Sequence, residues 1–177
     1  HDPTLDRTAG VAARLAELQT SDLAAIDVGS RFSPAHTGCR IPTLAAALAA
    51  ARRRIRLNLD IKGGNEGAGV LALRVARLVR RQEASSECLI TSSRPEVLWL
   101  LHKCHPCLRL GWVGERRIGP ALAWPFPVLS LRHDLATPDV VRAAHRRGKE
   151  VHVWTVNEPE GMRDCIRRGV DGIITDL

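Results

Sequence analysis

The chain of 177 residues has no tyrosine, two phenylalanines and one methionine, and aromatic residues make up 3% of it. Lysine is almost as scarce: it occurs at Lys62, Lys103 and Lys149, and arginine supplies the other 23 of the 26 basic residues. No stretch approaches the ~18 consecutive uncharged apolar residues of a membrane-spanning helix, so none is written here. Five cysteines, odd in number and widely scattered, argue against a disulfide framework. What is plentiful is apolar content, at 45%. That excludes disorder as the default, and the length allows one domain with a real core. The chain starts on His1 rather than Met, with no signal peptide, and is expected to be a cut piece.

The formal charge is +7, a balance that suits anionic partners such as phosphoesters, nucleic acid or a lipid surface. The arginines are distributed in a way that weakens the nucleic-acid reading. Arg52-Arg53-Arg54, Arg80-Arg81, Arg146-Arg147 and Arg167-Arg168 each fall near the end of a helix-like stretch. Cations there complement the negative end of the helix dipole and stay solvated. No nucleic-acid partner is expected.

Residues 1–10 read as a polar loop, residues 11–20 as a short helix, and Ser30 to Pro42 as irregular. Thr43 can cap a helix running from Leu44 to Arg54. From Ile55 onward the pattern is regular. Strands are expected near 55–62, 88–92, 108–113, 128–131, 151–156 and 172–175. Helices are expected over 70–81, 95–104, 138–147 and 158–168. Thr137-Pro138 supplies a cap and a first-turn proline; Gly148 and Gly169 are stops. Strands alternating with helices of about ten residues imply a parallel sheet in a single domain, residues 1–177. Two architectures fit, a doubly wound sheet and a (β/α) barrel. Gly63-Gly64-Asn65-Glu66-Gly67 only loosely matches a dinucleotide fingerprint. Polar residues instead cluster where strands end: Asp60 and Lys62, Thr91 to Ser93, Thr155 and Asn157, Thr175 and Asp176. Barrel active sites are built at that edge.

Five segments, in order, resemble the glycerophosphodiester phosphodiesterase family. His1-Asp2-Pro3-Thr4-Leu5-Asp6-Arg7-Thr8 is similar to its HD-x-x-L-x-R-T segment. Ile26-Asp27-Val28-Gly29 with Phe32, then Ile41-Pro42-Thr43-Leu44, resembles the region that follows. Leu59-Asp60-Ile61-Lys62 resembles a strand ending in E-x-K, Val153-Trp154-Thr155-Val156-Asn157 the W-T-V-N strand, and Gly169 to Asp176 the closing G-V-D-G-I-x-T-D. The resemblance implies a (β/α)8 TIM-type barrel, with about six βα units present and strands 1 and 2 missing. It implies hydrolysis of glycerophosphodiesters, derived from phospholipids, to glycerol 3-phosphate and an alcohol, with a bound Mg²⁺ or Ca²⁺.

Carried over residue by residue, the resemblance makes His1 one of two proton-transfer histidines. Asp60 stands where the family has glutamate and is the candidate metal ligand, one methylene shorter. Lys62, on the same face of the strand, would hold a phosphate oxygen as a point charge and act in catalysis. Each also has a plainer role: Asp60 and Lys62 can pair with each other, and Trp154, which the resemblance puts on the glycerol side of the pocket, can be a core aromatic. Asn157 is expected to cap the helix that follows it. Asp176 is expected to be structural and His145 exposed. His102-Lys103-Cys104-His105-Pro106-Cys107 has the look of a zinc knuckle but lacks a second ligand pair. Ser92-Ser93-Arg94 has no evident nucleophile partner.

The family's H-R-G and E-x-D segments, which carry the other histidine, an arginine and two carboxylates, do not occur in the chain. Two readings of different class follow: an enzyme of which this is a piece, or a non-catalytic barrel that binds phosphoesters or a partner. A third is an arginine-rich nucleic-acid binder. The upstream gene sequence separates the first two. The enzyme reading predicts H-R-G followed by E-x-D ahead of His1; a start codon at or just before His1 would sink it. The 177 residues alone are expected to be inactive, and metal-dependent turnover by the purified fragment would contradict that.

Overall fold

The computed structural model describes residues 2, 4–62 and 67–177, and the chain divides into two units, residues 1–47 and 48–177. In the first unit a single helical turn, α1 (Asp6–Ala9), interrupts the stretch expected to be loop; Gly10 closes it in the left-handed conformation. The helix expected over 11–20 does not form. A 3₁₀ turn at Leu15–Glu17 and one α turn, α2 (Thr20–Leu23), stand in its place, and Leu15 is half exposed. A ten-residue helix is marginal without an apolar face to bury. The irregular segment after Ser30 holds one 3₁₀ turn at Pro34–His36.

One loop in this unit is tightly specified. Asp27 accepts hydrogen bonds from the Gly29, Ser30 and Gly38 amides and the Ser30 hydroxyl at 2.7–3.0 Å, and Arg40 lies 3.6 Å away. The donors, led by the Ser30 and Gly38 amides, hold its carboxyl far below the usual range. A Cβ on Gly29 would sit 2.0 Å from the His36 carbonyl, so only glycine fits. The Asp27-x-Gly29 pattern is therefore accounted for by loop closure.

Helix α3 (Leu44–Ala51) leads from this unit into the second; Thr43 Oγ1 caps it by accepting from the Ala46 amide at 3.2 Å. The second unit is an α/β layer. Its described strands are β1 (Leu57–Asp60), β2 (Cys88–Ser92), β3 (Arg109–Gly114), β4 (Val128–Arg132), β5 (Glu150–Trp154) and β6 (Gly172–Ile173). All five pairings are parallel, and the spatial order follows the chain from β1 to β6. An order without reversal is the progression of a (β/α) barrel, not of a doubly wound sheet. Six strands make a partial barrel, as the sequence implies.

Four helices cross over between strands: α4 (Ala68–Arg81), α5 (Pro95–Cys104), α6 (Pro138–His145) and α7 (Pro159–Arg168). Proline opens α5, α6 and α7, where its missing N–H costs nothing. Thr137 caps α6, and Gly169, at φ +82°, ends α7. The expected arginine pairs do close α4 and α7. A 3₁₀ turn at Gly119–Ala123 replaces a helix between β3 and β4, where Pro120, Pro125 and Pro127 crowd the chain.

Alternate strand residues face the helices. Ile90, Leu110, Leu129, Leu131, Val151 and Val153 are fully buried there, with Val141 and Ala144 of α6. The scarce aromatics gather on this side: Trp112, Trp124, Phe126 and Trp99 make successive edge-on contacts with centroids 5.3–5.9 Å apart. Lys149 ties the turn that carries two of them to the start of β5. Its buried ammonium donates to the Trp124 and Phe126 carbonyls, the latter at 2.7 Å. Burial lowers its pKa, and the Arg147 charge adds to that. Lys149→Ala strands two buried carbonyls, so it is expected to destabilise the fold by about 2–3 kcal/mol. A urea transition that does not move in this variant would show that the clamp contributes nothing.

Candidate active site

The inner face of the sheet can be followed through its contacts. Thr91 Oγ1 donates to Asn58 Oδ1 at 2.9 Å. A Cβ on Gly111 would come within 3.1 Å of both Thr91 and Val128. Arg109 pairs with Glu150, and His152 Nε2 lies 3.3 Å from Glu150 Oε2. These residues share a face, and the two-residue period of a strand adds Asp60, Lys62, Ser130, Arg132 and Trp154 to it. Most polar strand residues thus face inward, with Leu89, Val113 and Val128 among them, while the other strand aliphatics face the helices.

At the carboxyl edge, Lys62 Nζ lies 3.2 Å from Asp60 Oδ2, with both side chains partly exposed. The ladder continues past β1, since the Ile61 amide donates to the Thr91 carbonyl at 2.7 Å, so the backbone leading to Lys62 is held. Ser92 is committed to structure: its buried hydroxyl donates to the Ile61 carbonyl at 2.9 Å. Trp154 is half-buried in the last position of β5, and its indole N–H donates to the Ser130 carbonyl at 3.1 Å. His1, and Gly63, Gly64, Asn65 and Glu66 after Lys62, lie outside the described residues.

Asn157 does something other than expected. The residue before α7 is Glu158, and no side chain caps it. Asn157 instead clasps the segment after β6. Its Oδ1 accepts from Thr175 Oγ1 and the Asp176 amide at 3.1 and 3.0 Å, and its Nδ2 donates to Asp176 Oδ2 at 3.1 Å. Holding a neighbouring strand end satisfies three groups where a cap would satisfy one. Asp176 is structural in this sense, as expected.

The rest of the closing G-V-D-G motif is structural too. A Cβ on Gly172 would lie 2.8 Å from the His152 ring. Asp171 Oδ2 accepts from the Val151 amide at 2.7 Å and lies 2.9 Å from Nε2 of the exposed His145. Burial works to raise the Asp171 carboxyl. The Val151 and His145 contacts, with the charges of His145 and His152, outweigh it and hold the carboxyl below its usual range.

Of the remaining motif residues, Cys104 and Cys107 are exposed, His105 is buried against Arg80, and His102 packs edge-on to Trp99 and Phe126. Among the described residues no three His, Cys, Asp or Glu side chains gather as a metal site would require. Sequence reasoning missed Arg109, Glu150, His152, Arg132 and Asp134. Counting back by twos from Trp154 would have put His152 and Glu150 on its face.

A parallel sheet running in chain order, with an inward polar row and charged side chains at its carboxyl edge, defines a (β/α)-barrel enzyme scaffold. The chain belongs to the glycerophosphoryl diester phosphodiesterase family, a family of phosphoric diester hydrolases, whose sequence profile matches residues 1–177. It is 25% identical over 183 residues to a glycerophosphodiester phosphodiesterase of Caldanaerobacter subterraneus subsp. tengcongensis, with 99% of this chain and 74% of the relative covered. Among solved structures it resembles an Oleispira antarctica phosphodiesterase in complex with the product sn-glycerol-3-phosphate, at TM-score 0.90 and 18% identity, covering 99% of this chain and 74% of that one. A glycerophosphodiester phosphodiesterase of Agrobacterium tumefaciens aligns at TM-score 0.79 and 22% identity, covering 99% and 76%. At these identities the structures establish the fold.

The Asp171 contacts make stability depend on pH. A carboxyl lowered in the folded state contributes stability above its unfolded pKa of about 3.9 and loses it as pH falls through the folded value. Asp171→Asn is therefore expected to lower the thermal midpoint at pH 7, with the gap to the native chain closing below about pH 4. A gap of constant size down to pH 2 would contradict this.

Proposed function

We propose that the full-length protein hydrolyses glycerophosphodiesters to glycerol 3-phosphate and an alcohol. The observation that carries this reading is the Asp60–Lys62 pair at the carboxyl edge of a barrel sheet, in a chain matched from end to end by a phosphodiesterase family. Breaking a phosphodiester requires the phosphate charge to be offset, the attacking oxygen to lose a proton and the leaving alkoxide to gain one. Lys62 offers an ammonium donor to a non-bridging phosphate oxygen, and Asp60 at 3.2 Å limits where that ammonium can go. His1 carries one of the two proton transfers; in the family the other falls to the histidine of an H-R-G segment. An imidazole suits either role because its unperturbed pKa is about 6.5. Trp154, fixed by its bond to Ser130, lines the glycerol side.

The family resemblance also implies Mg²⁺ or Ca²⁺. Such ions take six or more oxygen ligands. Among the described residues no three His, Cys, Asp or Glu side chains gather with Asp60, so they do not by themselves fit the ion. Asp60 is proposed as one ligand, and the steps above run on the chain's own protons and charges.

The test is a coupled assay for glycerol 3-phosphate released from glycerophosphocholine. Release is expected, with Lys62→Ala lowering kcat/KM at least about 100-fold, the scale of losing one charge-stabilising donor. His1→Ala is expected to abolish turnover, and chelation to suppress it until Mg²⁺ or Ca²⁺ is restored. Undiminished turnover in His1→Ala would remove its proton-transfer role. Phosphoester binding without hydrolysis by the full-length protein would favour the non-catalytic alternative.

A further inference from the structure

Arg132 ends β4 and stands in register with Trp154 on β5. Val128, four positions before it, faces Gly111 on the inner side of the sheet. The strand period returns Arg132 to that side at the carboxyl edge. The Trp154 indole N–H is already given to the Ser130 carbonyl, so the ring presents a face but no donor. The neighbouring pair supplies polar groups. Arg132 Nε and Nη2 donate to Asp134 Oδ1 and Oδ2, each at 2.7 Å, and the side chains are 44% and 50% exposed. A guanidinium has five N–H donors and this pairing uses two; each carboxylate oxygen keeps a further lone pair.

The charge balance says what such a corner would take. Asp134 offsets the Arg132 charge directly, and Glu115, just past β3, adds a second negative field at Arg132. A cation so compensated is poorly suited to a free anion. Donor and acceptor side by side, next to an aromatic face, suit a neutral polyol, whose hydroxyls each accept one hydrogen bond and donate another.

We infer that Arg132 and Asp134 are specificity-determining residues that hold the glycerol hydroxyls of the substrate against Trp154. The inference rests on the proposed function and adds to it the group that is read. Two probes separate the glycerol contact from the phosphate contact: sn-glycerol 3-phosphate and inorganic phosphate, each titrated by calorimetry into the full-length protein. Arg132→Gln and Asp134→Asn are each expected to weaken glycerol 3-phosphate about tenfold and inorganic phosphate less than twofold, with the thermal midpoint unchanged. Arg132→Lys keeps the charge but loses the fork, and is not expected to restore binding. Equal losses for the two ligands, no loss for either, or native protein that binds the two equally would overturn the inference. If Arg132→Gln does not fold, Asp134→Asn decides alone. Failure of the proposed function reads differently: native protein that releases no glycerol 3-phosphate from a glycerophosphodiester.

Discussion

The two-residue period of the strands governs nearly everything in the larger unit. Because every strand is parallel and paired in chain order, one face of the sheet must pack against helices while the other turns inward. The helix side is filled by aliphatics such as Ile90, Leu129 and Val151, which are fully buried. The inner side carries Asn58, Arg109, Glu150, His152 and Trp154. A one-residue slip of β5 would exchange Val151 and Val153 for His152 and Trp154, and would expose the core and bury an ion pair together. The register that stabilises the fold is thus the register that assembles the candidate site.

The regular half of the chain was legible because helix and strand periods there agree with their stop signals. Pro95 and Cys104 bound α5 where the pattern put them, and Gly169 ends α7. Residues 1–23 were not legible. Their short turns depend on individual contacts, such as Gly10 closing α1, that leave no periodic trace. Boundaries also shifted: β1 begins at Leu57 where Ile55 was expected, and β6 is two residues long where four were expected.

The site was legible in part. Spacing put Asp60 and Lys62 on one face, and they meet at 3.2 Å. Asn157 was misread because cap preference is a local rule, whereas its partners, Thr175 and Asp176, lie eighteen and nineteen residues away. The same holds for Arg109 and Glu150, whose pairing crosses β4 and has no local signature. Motifs shared with a family mark positions under constraint without saying which constraint. Here Gly29, Asp171 and Gly172 answer to loop closure and strand clamping, and Lys62 alone among the lysines stands at the carboxyl edge.

That scarcity of lysine makes the protein its own chemical reporter. Lys149 holds its ammonium against two carbonyls in the interior, Lys103 lies exposed near the end of α5, and Lys62 is exposed at the carboxyl edge of the sheet, next to Asp60. An amine-reactive reagent applied to the folded protein therefore reads three different things at three masses. Under the proposed function, labelling at Lys62 would follow occupancy of the mouth, while labelling at Lys149 follows unfolding and labelling at Lys103 calibrates both.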